Sequence, residues 1–337
     1  MEEEKYKKLR IVFMGTPEFA VASLDTLFKA GCNIVGVVTA PDRPAGRGLI
    51  LQQSAIKKYA VENNLRILQP DKLKSPAFLD ELKSLSADLQ IVVAFRMLPE
   101  LVWNMPPMGS VNLHGSLLPQ YRGAAPINWA VINGEKETGC TTFKLKHEID
   151  TGDILLQESF PIGENETAGE VHDKMKEIGA QLLLKTIKGL VDNSLTELPQ
   201  ASMVNGESSI NEPENSAHHS LFTIHHSPKH APKIFKENCQ IDWHKTTDDV
   251  FNLIRGLSPY PTAFTFLDAK KLKIFSAEKE TSKADDIAVI SAGGYDTDKK
   301  SYLKFACKDG FISVKELQLE GKKQLKVEDF LRGYRWI

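Results

Sequence analysis

Largely apolar runs that alternate with helix-patterned segments constrain this chain more than any other feature. Leu9-Arg10-Ile11-Val12-Phe13-Met14-Gly15 reads as a buried strand ending at a glycine, and Asn33 to Thr39 and Leu89 to Phe95 repeat the pattern. Between the first two, residues from about Phe19 to Ala30 place Val21, Leu24, Leu27 and Phe28 at helical spacing and stop at Gly31. Ser54 to Asn63 and Pro76 to Leu85 also read as helices, and short strands are expected at Val111–His114 and Cys140–Leu145. Strands alternating with helices at this spacing predict an α/β fold with a doubly wound, mostly parallel sheet.

A further helix is expected to begin near Thr167. Thr167-Ala168-Gly169-Glu170 has capping-box spacing, and Val171, Met175, Ile178, Leu182 and Leu183 then fall on one face. The character changes after Pro199: residues 200–231 are rich in Ser, Asn, Glu, His and Pro with little periodicity, and read as a linker. Beyond it, Thr247 to Arg255 is a short helix closed by Gly256. Short strand-like runs follow at Thr262–Leu267, Leu272–Ser276, Ile287–Ile290, Leu303–Ala306 and Phe311–Leu319, separated by turns as in a small barrel. The expected organisation is a tail (1–9), an α/β catalytic domain (10–199), a polar linker (200–231) and a smaller barrel domain (232–337).

Composition excludes several classes. With 42 Lys and Arg against 44 Asp and Glu, any nucleic acid must be gripped by local patches, not bulk charge. No stretch approaches the run of about 18 apolar residues that a membrane helix needs, and the start is neither a signal nor a transit peptide. A cytoplasmic protein with no membrane partner is expected. Cys32, Cys140, Cys239 and Cys307 lie far apart, which argues against zinc clips and disulfide frameworks. His218, His219, His225, His226 and His230 sit in the polar segment without carboxylate or thiol company, so no metal is expected.

Three segments carry chemistry. The turn Gly15-Thr16-Pro17 lacks the further glycines of a dinucleotide-binding loop, which weakens an oxidoreductase reading. In Val111-Asn112-Leu113-His114, Asn112 and His114 project to the same face of a strand. An amide and an imidazole side by side suit a developing oxyanion, or the histidine could relay a proton; the same pair also occurs for purely structural reasons. The acidic turn Asp150-Thr151-Gly152-Asp153 follows a strand and could supply a carboxylate to the crevice or form a satisfied turn, with the choice between Asp150 and Asp153 open. Pro41-Asp42-Arg43-Pro44-Ala45-Gly46-Arg47-Gly48 is a basic loop suited to a phosphate backbone, or an exposed loop without special role.

Together these motifs resemble the methionyl-tRNA formyltransferases. The family start F-x-G-T-P-x-F-A is read at Phe13 to Ala20, its arginine loop at Pro41 to Gly48, its signature N-x-H-x-S-L-L-P-x-Y-R-G at Asn112 to Gly123, and D-T-G-D at Asp150 to Asp153. Ile241-Asp242-Trp243, Ile254-Arg255-Gly256 and Leu319-Glu320-Gly321-Lys322 extend the likeness into the second domain. The resemblance implies a Rossmann-like formyltransferase domain followed by an OB-like barrel that binds tRNA. It implies formyl transfer from 10-formyltetrahydrofolate to the α-amine of methionyl initiator tRNA by direct attack, without a metal, and a monomer is expected. By the same resemblance Asn112 and His114 stabilise the tetrahedral oxyanion, and Asp150 handles the proton and orients the histidine. Ser116, Leu117, Leu118 and Pro119 would line the folate site with Phe95 and Leu98 beside the pterin, and Arg43 and Arg47 would contact the tRNA. Ala94-Phe95-Arg96-Met97-Leu98-Pro99 departs from the Tyr-Gly pair of many members. The alternative within the same chemistry is a formyltransferase acting on a sugar nucleotide or another small amine.

Overall fold

A computed structural model describes residues 5–45, 50–204, 227–281 and 290–336. The chain divides into two compact units, one made of Met1–Arg122, Gly139–Phe160 and Asp173–His230, the other of Gly123–Thr138, Pro161–His172 and Ala231–Ile337. Two segments from the earlier part of the chain thus group with the C-terminal strands.

In the first unit, strands β1 (Arg10–Gly15), β2 (Asn33–Val38), β5 (Ile67–Leu68), β6 (Leu89–Val93), β7 (Ser110–His114), β9 (Glu137–Lys144) and β10 (Ile154–Pro161) form one sheet. A small hairpin of β3 (Arg43–Ala45) and β4 (Ile50–Gln52) stands apart, as does the two-residue β8 (Arg122–Gly123). The sheet order is β10-β9-β7-β6-β1-β2-β5, parallel from β5 through to β7 and antiparallel between β7 and β9. Helices α1 (Glu18–Lys29), α2 (Ala55–Glu62), α3 (Pro76–Ser84) and α4 (Glu100–Trp103) make the crossovers. Every side chain from Ile11 to Met14 is fully buried, because a parallel sheet is covered on both faces. Val12, Met14, Val38, Val92, Phe78 and Leu82 form one core layer, and each such side chain contributes about 1.5–3 kcal/mol by burial. The expected doubly wound α/β sheet is therefore present, with strand and helix ends shifted by up to three residues, the largest shift at β9, which starts at Glu137 and not Cys140.

Helix α5 (Pro126–Ile132) belongs to the second unit, and α6 (Ala168–Val191) opens as its sequence predicts. The Thr167 amide donates to Glu170 Oε2 at 2.8 Å while the Glu170 amide donates to Thr167 Oγ1 at 3.2 Å, which satisfies two of the helix's free donors. Residues read as the start of a linker instead form a short helix, α7 (Gln200–Val204), whereas 205–226, with His218, His219, His225 and His226, lie outside the described residues. His230 is exposed on the two-residue strand β11 (His230–Ala231).

The second unit is an antiparallel, barrel-like sheet of β12 (Ala263–Leu267), β13 (Lys270–Thr281), β14 (Tyr295–Thr297), β15 (Leu303–Ala306) and β16 (Gly310–Leu319), with β17 (Leu325–Lys326) added on β16. Ile287 to Val289 of the expected third run lie outside the described residues. Helix α8 (Thr247–Gly256) and a C-terminal helix, Val327–Gly333, supply apolar faces to the core. Trp243 stacks on Phe305 at 4.8 Å between centroids and donates its indole N–H to Thr265 Oγ1 at 2.9 Å, so the ring is buried with its polar end satisfied. Asn128 of α5 donates to the Gly256 carbonyl at 2.8 Å, and a Cβ on Gly256 would lie 2.9 Å from the Ile132 amide nitrogen. That close approach explains the glycine that ends α8.

All four cysteines are buried as free thiols, and burial pushes each thiol up, Cys32 to about 11 and Cys307 to about 12. At pH 8 they are protonated and poorly nucleophilic. Iodoacetamide at pH 8 should leave the native protein unmodified and alkylate four sites after denaturation. Rapid native labelling, read by intact mass, would contradict this burial. Among the described residues, no helix is long and apolar enough to cross a membrane.

Candidate functional site

The strand order reverses between β1 and β6, and such a switch point opens a crevice at the carboxyl ends of the strands. Register places three strand ends level there: Gly15 pairs with Val93, and Val93 with Leu113. The turn after Gly15, the loop from Ala94 to Leu98 and the Asn112–His114 pair therefore meet at one sheet edge. Helix α1 begins there behind Pro17, with Glu18 in its first turn and no side-chain cap. The Glu18 carboxylate pairs with Lys176 at 3.1 Å.

Asn112 and His114 lie on the same face of β7 by strand alternation, Asn112 half-buried and His114 7 % exposed, with Leu113 on the other face. His114 Nε2 lies 2.9 Å from the Tyr121 carbonyl, which can only accept, so Nε2 carries a proton and donates it. Nδ1 then faces Asp150, 3.9 Å from Oδ2. That separation is an ion-pair distance and too long for a hydrogen bond. The neutral ring thus keeps its lone pair on the side of Asp150, and a proton gained there would be neutralised by the carboxylate.

Two residues in the left-handed region bracket the imidazole, Tyr121 with φ 58° and Asp150 with φ 55°. Each such conformation costs roughly 1–2 kcal/mol for a residue with a side chain, a strain retained where geometry matters. The loop that delivers the Tyr121 carbonyl is braced from within. Thr141 Oγ1 donates to the Ser116 carbonyl at 2.6 Å and accepts from the Leu118 amide at 3.0 Å, and Ser116 Oγ donates to the Gln120 carbonyl at 2.6 Å. Ser116 and Leu118 are fully buried, Pro119 is also buried, and Leu117 is half-buried. Their side chains hold the loop together, so a ligand could meet mainly its backbone.

Asp150 and Asp153, equivalent in the sequence, are separated by the structure. Asp153 pairs with Lys146 at 2.7 Å, whereas Asp150 faces the histidine. Gly152 sits between them under tight constraint, because a Cβ there would lie 1.6 Å from the Lys144 carbonyl oxygen. Arg122, the arginine of the signature segment though given no role there, and Gln200, read as the start of the linker, hold this turn. Gln200, 2 % exposed, donates through Nε2 to the carbonyls of Asp150 at 2.9 Å and Gly152 at 2.8 Å. Its Oε1 accepts from Arg122 Nε at 3.0 Å and from its second amino group at 2.6 Å. Burial pulls the Arg122 guanidinium below its usual value, and the nearby carboxylates of Asp150 and Glu148 oppose that shift.

Phe95 and Leu98 are half-buried against the core layer of β1 and β6, leaving their backbone at the crevice. Arg96 turns away, donating to the carbonyls of Asp71 and Pro70. Arg43 is exposed on the hairpin of β3 and β4, so the expected loop is partly strand; Arg47 lies outside the described residues. The hairpin is rooted by Asp42, which accepts from Lys57 and from Gln69 at 2.8 Å, and these bonds hold its carboxyl below the usual range.

The sequence matches the family described as formyl transferase over residues 9–187 and the formyl transferase C-terminal domain over residues 233–335. It is 50% identical over 339 residues to the methionyl-tRNA formyltransferase of Parabacteroides distasonis, covering 99% of this chain and 98% of that protein. It is 52% identical over 335 residues to the methionyl-tRNA formyltransferase of Phocaeicola vulgatus, covering 98% and 97%. Among solved structures, the N-formyltransferase from Helicobacter canadensis, in complex with folinic acid and dTDP-3-aminofucose, superposes with a TM-score of 0.63 at 20% identity, covering 94% of this chain and all of that one. That likeness concerns the fold.

Proposed function

The chain belongs to the formyl transferase family, and from that premise we propose that it transfers the formyl group of 10-formyltetrahydrofolate to the α-amine of methionyl initiator tRNA. The observation that carries this reading is identity of about one half to methionyl-tRNA formyltransferases over nearly the whole chain, second domain included. The N-formyltransferase bound to dTDP-3-aminofucose is similar in fold, at 20% identity.

In the proposed reaction the neutral amine attacks the formyl carbon, a C–N bond forms and the carbonyl π electrons move to oxygen. Asn112 donates its amide N–H to that oxyanion, and His114, once it has taken a proton from solvent at Nδ1, supplies a second donor. Asp150 balances the imidazolium as the amine attacks, and then accepts the amine proton. Collapse reforms the carbonyl, breaks the bond to folate N10 and delivers to that nitrogen the proton held by Asp150. Phe95, Leu98 and the Ser116–Pro119 loop would hold the folate, largely through backbone. The exposed Arg43, and Arg47 of the same basic sequence segment, would reach the tRNA backbone.

A formyl-transfer assay comparing methionyl-initiator with methionyl-elongator tRNA tests the reading. Formylation confined to the initiator is expected. Folate-dependent transfer to a sugar nucleotide or another small amine, with neither tRNA used, would overturn the choice of acceptor. For the hairpin, Arg43→Ala should raise KM for the tRNA by about 10-fold or more through loss of a charged contact, with folate KM unchanged. Unchanged tRNA kinetics would remove Arg43 from recognition.

A further inference from the structure

The turn that carries Asp150 is held to the preceding strand by a hydrogen bond from the Lys144 amide to the Asp153 carbonyl at 3.0 Å. Asp150 is left-handed, Gly152 is pressed against the Lys144 carbonyl, and Thr151 Oγ1 bonds back to the Glu148 carbonyl at 3.1 Å. Nothing in these local contacts sets the distance from Asp150 to His114. That distance depends on where the two backbone carbonyls flanking Thr151 are fixed, and one buried side chain fixes both.

We propose that Gln200 is the positioning residue that sets Asp150 against His114, with Arg122 orienting it; this rests on the role given to Asp150 above. Two carbonyls can only accept and a guanidinium can only donate, so the chemistry fixes which end of the amide points where. The side chain must offer two donors to Asp150 and Gly152 and one acceptor to Arg122. A glutamine satisfies this, whereas a glutamate would set an anionic oxygen against two carbonyl oxygens. Leucine or methionine would fill the space and leave two buried carbonyls and a guanidinium unpaired. An asparagine is one methylene short of bridging them. Gln200 therefore reaches the reaction through the aspartate without touching either substrate.

The test uses the full chain in steady-state formyl transfer, with Gln200→Met, Gln200→Glu, Asp150→Ala and the Gln200→Met/Asp150→Ala double variant. Displacing the turn by an ångström is expected to lower kcat by ~10–100-fold in Gln200→Met, with both KM values little changed. In the Asp150→Ala background the same substitution should have almost no further effect, since its route to the chemistry is gone. Gln200→Glu keeps the side-chain length and the link to Arg122, and gives the same readout if the methionine variant does not fold. Wild-type kcat in a folded Gln200 variant, or losses that multiply in the double variant, would overturn the positioning role and leave a structural one. Asp150→Ala measured alone separates the two layers: if it retains wild-type kcat, the role of Asp150 fails and the inference falls with it.

Discussion

Asn112→Ala is expected to lower kcat by about 10²–10³-fold, the loss for one oxyanion donor, with folate binding little changed. The argument runs through the strand. Asn112 and His114 share one face of β7, and the carbonyl of Tyr121 accepts a hydrogen bond from the histidine Nε2–H. Only Nδ1 of the ring remains on the Asp150 side, so the histidine alone provides one donor, and the amide of Asn112 supplies the second. A donor aimed at developing charge matters in the transition state more than in the ground state, and its loss should fall on kcat. Equilibrium folate binding and pre-steady-state turnover distinguish the two. Equal losses in binding and turnover would assign Asn112 to ligand retention instead of oxyanion stabilisation.

Gly152→Ala carries the second large effect. The added methyl would lie 1.6 Å from the Lys144 oxygen and 3.0 Å from the Phe143 ring, and Lys144 is tied to the same turn by its amide bond to the Asp153 carbonyl at 3.0 Å. Neither backbone segment can yield without the other, so the turn must move as a whole. Overpacking of this kind costs about 1–3 kcal/mol, and a Tm lower by several degrees is expected. The same movement breaks the bonds from Gln200 to the Asp150 and Gly152 carbonyls and shifts the carboxylate, so kcat should fall by ~10²-fold. Gly333→Ala, where nothing lies within 4 Å of the new carbon, serves as a control that keeps wild-type Tm and kcat. Wild-type kcat in Gly152→Ala would mean that the position of this turn does not matter to the reaction.

Much of the site is legible in the sequence because parts of it are local. Strand alternation alone places Asn112 and His114 on one face, and the Thr167–Glu170 pair announces its helix start through a contact three residues apart. The choice between Asp150 and Asp153 was not legible. Both are acidic, both follow the same strand, and only the Lys146 pairing of one and the histidine beside the other distinguish them. Gln200 was read as the first residue of a polar linker because its neighbours are polar and aperiodic. Its burial comes from carbonyls 48 and 50 residues away in the chain, and no window of sequence contains them. The helices Pro126–Ile132 and Val327–Gly333 passed unread for a related reason: each is only 7 residues long, too short for apolar periodicity to stand out.

What the sequence determined by itself was the succession of buried strands and covering helices, and with it the parallel sheet, since period and apolarity are properties of neighbouring residues. It also determined the same-face pairing of Asn112 with His114. Tertiary structure decided which nitrogen of His114 is committed to Tyr121, which aspartate faces the other, and what holds that aspartate in place. These depend on donors and acceptors brought together across a sheet edge. Hydrogen-bond geometry at 2.6–3.0 Å is set only when distant segments pack, and a single residue in the left-handed region re-aims a carbonyl or a carboxylate without changing the pattern of the chain around it.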